Sequence, residues 1–319
     1  MADPVAAGGI AGAIAAASAP LTKLVETVSA GLGRVYEPTH QRRMARAEGD
    51  KMVILANAAN EVTDLQRRAA ERWLAVESIR QQNIEAIADK AGRELPPTVG
   101  ESPVEPSWTA KFFDSCKDVS QEEMQTLWAR LLAGEVAAPG SFSLRTLQVL
   151  ATLSPAEARL FDVLCSLVMH ENGPFIFEDR KDFLQAKGLG FSARQLLAQA
   201  GLIQVHSQGV QRLRHRGALI LFPIGEGPLL AGLTGTPDLP TNYELGTVTL
   251  TQAGTELSRL WRGDIDLEHV DWLLAKFLSN GWRMAKVSRE RTSEGIHRTG
   301  MYPDFIVEFF KNGGLKQTT

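Results

Sequence analysis

A chain of 319 residues, 44% apolar and 22% charged, is long enough for two or three cores and too apolar for wholesale disorder. Its net charge of -3 excludes a broad basic surface, so a nucleic-acid or anionic-membrane contact would have to come from a local patch. The two cysteines, Cys116 and Cys165, exclude a disulfide framework and a cysteine zinc site, and they fit a reducing, cytoplasmic setting.

Residues 4–22 carry no charge, which is the length of a membrane span. Their content is Ala, Gly and Ser, with only Val5, Ile10, Ile14 and Leu21 as larger apolar groups. Such residues contribute little transfer energy, so a small-residue helix packed on a neighbour is expected before a spanning helix. Membrane contact remains the lesser alternative. Over residues 21–35, Leu21, Leu24, Val25, Val28 and Leu32 recur at helical spacing, with Gly31 and Gly33 as the stop.

From 39 to 94 the chain is rich in Ala, Glu, Arg and Gln, which predicts one long helix or a hairpin folded near Gly49. Val62, Leu65, Ala69, Val76 and Ile79 keep heptad spacing, interrupted by Arg72 and Asn83, and form a seam that asks for a partner. A homo-oligomer is expected from it. Arg42, Arg43 and Arg46 are read as a solvated face rather than a phosphate site.

Prolines at 96, 97, 103 and 106 mark residues 95–107 as a linker. A central helical module spans 108–172. Trp108, Phe112 and Phe113 share one face, and Ser120 with Glu123 reads as a capping box. Met124, Leu127, Trp128, Leu131 and Leu132 form the next stripe, which Gly134 is expected to end. Ser143 opens another helix, and Ser154, Pro155 and Glu157 open a third. Trp73, Trp108, Trp128 and Trp272 are all read as core.

Beyond Gly173 the pattern changes. A strand at 175–177, a helix at 179–186 and a helix capped by Ser192 precede strands at 202–205 and 218–224, which a basic loop joins. That order is the order of a winged helix, here assigned to 173–262. A helix, two strands and a polar loop make a C-terminal α/β extension over 263–319. The fold class expected is therefore mainly α with a smaller α+β part: long N-terminal helices, a central helical module and a winged-helix-like C-terminal part.

The string LWARLLAGEVAAPGSFSLRTLQVLATLSPAEARLF, residues 127–161, resembles the core of an uncharacterised bacterial domain-of-unknown-function family carried by prophages and genomic islands. KLVETVSAGLGRVYEP at 23–38 and RQQNIEAIADKA at 80–91 fit the same family. More loosely, the LWA-x-LLA helix and the following Leu-Ser-x-x-Glu-Ala helix are similar to the abortive-infection alpha proteins. What the resemblance implies is a mobile-element gene with a role in phage defence. It implies no catalytic residues, and it leaves the C-terminal half uncovered on the abortive-infection side.

No phosphate loop, nucleophile elbow, zinc-protease helix or dinucleotide fingerprint is present, so no catalytic residue, cofactor or metal is expected. Glu122, Glu123 and Glu135 do not pair, and the charged run 179–182 reads as an exposed helix start. Arg212, Arg214 and Arg216 alternate along an extended segment, a pattern that can hold phosphates. Arg194, Gln195 and Gln199 on the preceding helix are the matching base readers. The function expected is a non-enzymatic sensing or interaction protein that self-associates and binds a protein partner. A winged-helix DNA-binding regulator and a membrane-acting abortive effector are the alternatives.

Overall fold

The computed structural model describes residues 19–32, 64–170, 173–177, 180–205, 211–214, 218–223, 229–233, 242–246, 248–279, 283–289 and 305–309. Helices dominate these residues, and the chain divides into two compact units, 1–151 and 152–319.

Unit 1 is helical. It comprises α1 (Ala19–Leu32), α2 (Asp64–Glu94), α3 (Pro106–Cys116), α4 (Glu122–Ala137) and α5 (Leu144–Thr152). The second half of α2 lies along α4, burying Ile84, Ile87, Ala88 and Ala91. Helix α1 packs on α3 and α4 through Leu24 and Val28. Gly31 belongs to that contact and does not end α1, since a Cβ there would meet the Phe113 ring at 2.6 Å. The aromatic centre is Phe112, stacked on Trp108 at 5.3 Å and edge-on to Trp128 at 5.3 Å. Trp108 Nε1 donates to Phe142 O at 2.8 Å, which satisfies the one polar atom that this ring buries.

The proline-bearing segment 95–107 lies inside unit 1. Val104 is buried, Gly100 N donates to Ala137 O at 2.8 Å, and Lys23 Nζ donates to Gly100 O at 2.6 Å. Two expected local signals fail here. The N-cap of α4 is Gln121, not Ser120, and it makes no side-chain cap bond. Gly134 lies within α4, which continues to Ala137; its bare Cα admits the Phe142 ring, which a Cβ would meet at 2.8 Å. Beside it the buried Glu135 carboxylate accepts from Gly140 N at 2.6 Å and Phe142 N at 3.0 Å, closing the turn into α5.

Unit 2 starts with α6 (Pro155–Cys165), opened by the expected capping box: Ser154 accepts from Glu157 N while the Glu157 carboxylate accepts from Ser154 N. The elements that follow are β1 (Met169–His170), β2 (Pro174–Ile176), α7 (Lys181–Ala186), α8 (Phe191–Gln199) and β3 (Ile203–Val205). Then come β4 (Gln211–Arg214), β5 (Ala218–Pro223), β6 (Leu229–Leu233), β7 (Asn242–Gly246) and β8 (Val248–Leu250). The unit closes with α9 (Gln252–Ser258), α10 (Leu267–Ser279), β9 (Arg283–Arg289) and β10 (Phe305–Phe309). Helix α8 starts at Phe191 after an N-cap glycine, Gly190, so Ser192 falls inside its first turn rather than capping it.

The sheet runs β10-β9-β6-β5-β1-β2-β8-β3, with β4 and β7 as a separate antiparallel pair. Each neighbouring pair in it is antiparallel. The strands expected to flank a basic loop, β3 and β5, are not neighbours. β3 pairs with β8, Ile203 opposite Leu250, while β5 pairs with β1 and β6. Thr251 then caps α9: its Oγ1 accepts from Gly254 N at 3.0 Å and donates to Gly201 O at 2.6 Å.

Candidate interaction surfaces

At about 100° per residue, Leu65, Ala69, Trp73, Val76 and Ile79 fall within an arc of about 120° on α2. All five are exposed, Leu65 at 68%, Ile79 at 55% and Trp73 at 50%. The same arc continues into Asn83 and Ile87, which are buried beneath α4. One apolar face is thus covered over the second half of the helix and bare over the first. Four of the five seam residues named from heptad spacing lie on it, and Val62 is outside the described residues. Trp73, read as core, is instead part of this bare stripe.

The exposed Arg72 and the half-buried Arg80 fall within the same arc, Arg68 stands just outside it and Arg67 on the opposite side. Arg67 pairs with Asp64 at 2.6 Å and Glu71 at 3.2 Å, and Arg68 also pairs with Asp64. Arg80 pairs with Glu77 and with Asp118, each at 2.7 Å. Hydrogen bonds that Arg80 donates to Asp118 first, and then to Glu77, hold its charge more firmly. Cations so engaged offer little to phosphate. Asn83, which breaks the heptad, ends the bare stripe with polar contacts. Its Nδ2 donates to Lys117 O at 2.9 Å, and Gln125 Nε2 donates to Asn83 Oδ1 at 3.3 Å and Val119 O at 3.0 Å.

In unit 2, Gln195 and Gln199 lie about 40° apart on α8. They share the outward side with Phe191, 68% exposed, and with Ser192 and Leu196. Arg194 stands about 140° from Gln199, and its Nη1 atom is buried. The three expected base readers are therefore not one group: two amides face outward and the guanidinium turns toward the core side. Arg212 and Arg214 occupy alternate positions of β4, opposite Glu244 and Asn242 of β7. Arg216 lies outside the described residues. The exposed Phe191 and Leu196 were missed because a helix stripe read from sequence gives a face without saying which side is covered.

Cys116 and Cys165 are buried, and burial pushes both thiols well above their ordinary value, away from thiolate reactivity. Among the described residues, no group of three or more His, Cys, Asp or Glu side chains is placed to hold a metal ion. Among them, too, no helix is long and apolar enough to cross a membrane. A family model described as "Protein of unknown function (DUF2806)" matches residues 67–274, from the first turn of α2 into α10. No curated protein and no solved structure matches the chain.

Proposed function

The chain belongs to the DUF2806 family, whose model covers α8 and the bare part of α2 from residue 67 onward, and from that premise we propose that it is a non-enzymatic interaction protein. It associates with a second copy through the first half of α2 and meets another protein through the outward face of α8. The observation that carries the reading is the stripe Leu65, Ala69, Trp73, Val76 and Ile79, left bare on a face buried further along. Fully covering a Leu, Val or Ile side chain contributes about 1.5–3 kcal/mol; Leu65, Val76 and Ile79 are 68%, 39% and 55% exposed, so each offers part of that gain against the cost of bringing two copies together. The setting we propose is cytoplasmic, from the two free thiols, and of mobile-element origin, from the likeness of residues 127–161 to a family carried by prophages and genomic islands; a role in phage defence rests on the looser likeness to the abortive-infection alpha proteins.

We read residues 173–262 as winged-helix-like. In support, α7 and α8 follow β2 in succession, β3 follows α8, and β8 lies between β2 and β3. The test of association is the solution mass by light scattering. The wild type should be dimeric or larger at micromolar concentration, and Leu65→Glu with Ile79→Glu should give a folded monomer. A wild-type monomer would sink the reading.

The alternating Arg212 and Arg214 support a second reading, a duplex-binding regulator. Its readout is fluorescence anisotropy with duplex DNA across a salt series, since each phosphate contact steepens the salt slope. Arg212→Ala with Arg214→Ala should then weaken binding and flatten that slope. Under the protein-binding reading, the wild type shows no binding at low salt.

A further inference from the structure

His269, in the first turn of α10, is 2% exposed, and neither of its ring nitrogens has a hydrogen-bond partner among the described residues. Its ring lies nearly parallel to that of Phe183 of α7, with centroids 5.9 Å apart, and to that of Trp272 on its own helix, 5.8 Å apart. Charged groups surround this stack. From the α7 side, the Arg180 guanidinium stands 4.0 Å over the Phe183 ring and donates to Glu268 at 2.8 Å. Lys187, at the other end of α7, pairs with Asp266 at 2.5 Å and lies 5.2 Å over Phe183. From the α10 side come Asp266, Glu268 and Lys276, the last 4.9 Å over Trp272. Asp266 also caps the helix by accepting from His269 N at 3.0 Å.

The two carboxylates are thus engaged by Lys187 and Arg180, and neither is hydrogen-bonded to the imidazole. A neutral ring in this place behaves as an apolar disc filling the gap between two aromatic faces. A protonated ring would be a fourth cation among Arg180, Lys187 and Lys276, with two N–H donors and no acceptor, a costly arrangement away from water.

We propose that His269 is an acid-operated release for α10: protonation expels the ring from between Phe183 and Trp272 and frees α10 from α7. Burial is the main cause that lowers the ring's affinity for a proton, to about 4; Asp266 works against it, Arg180 with it, and Glu268 against it. Once out in water the ring returns to its ordinary value of 6.5. The packed form is therefore fully favoured above about pH 6.5. As pH falls from there toward about 4, the released form alone gains a proton, and each pH unit shifts the balance toward it by up to about tenfold.

Hydrogen exchange of the full chain, corrected for the intrinsic pH dependence of the exchange rate, reads this directly. Between about pH 6.5 and about pH 4.5, the amides of α7 and α10 should lose up to about 40-fold in protection. In His269→Phe, which keeps the stack and cannot titrate, that loss should vanish. Unchanged protection in the wild type overturns the proposal, and so does an equal loss in His269→Phe. If the variant does not fold, the NMR titration of the wild-type His269 ring decides: a midpoint below about pH 5 supports the release, and one near the ordinary histidine value overturns it.

Discussion

A Cβ on Gly134 would meet Cε2 of Phe142 at 2.8 Å, well inside van der Waals contact. Phe142 is buried, and its backbone N–H is held by the Glu135 carboxylate, so the ring has little freedom to retreat. The glycine lies inside α4 because a neighbour needs the room, which a reading of helix stops along the chain does not reveal. Gly134→Ala sets a gain of about 1 kcal/mol in helix propensity against about 1–3 kcal/mol of overpacking. We expect a net loss of stability, read as a lower urea midpoint at unchanged slope. A variant as stable as the parent would mean that the Phe142 ring gives way freely. Asn83 follows the same logic. Along the heptad it is a flaw; in the fold it is the buried amide that binds the carbonyl of Lys117 where α3 ends.

Among the elements, helix starts divide by how many signals agree. At α6 three signals coincide, a serine cap, Pro155 in the first turn and Glu157 reaching back, and the box forms as expected. At α4 the pair Ser120 and Glu123 reads as a capping box and at α8 Ser192 alone reads as a cap, and the caps are Gln121 and Gly190. Ser154→Ala should therefore cost about 1 kcal/mol of stability, whereas Ser120→Ala should cost almost nothing. Equal losses in parallel thermal melts would contradict this assignment. Helices were legible because their periodicity is local, and α2, α3, α5 and α9 lie close to where spacing put them. The strand partners were not legible. β3 and β8 meet across a long stretch of intervening chain, and alternation along a strand says nothing about its neighbour in the sheet. The same limit hid the release cluster. The run Asp179, Arg180, Lys181 and Asp182 looks like an exposed helix start, yet Arg180 lies over Phe183 and reaches Glu268 across to α10.

Over the whole molecule, the candidate surfaces were half readable. The seam on α2 was visible as spacing, but only the structure separates its covered half from its bare half, because that depends on where α4 begins. The arginines split for a similar reason: helical geometry turns Arg194 away from Gln195 and Gln199, while Arg212 and Arg214 stand in a ribbon with β7. A further consequence lies in the place of β8 between β2 and β3. The chain leaves β3 at Val205 and returns at Val248 to fill the gap beside it, so the three strands cannot close until that excursion is complete. Loop-closure entropy rises only logarithmically with length, so the detour weighs little on final stability. It weighs more on speed: contacts this distant in sequence form late. Unit 2 should assemble around α6, α7 and α8 first, with β8 and then α9 arriving last as the latch of the sheet.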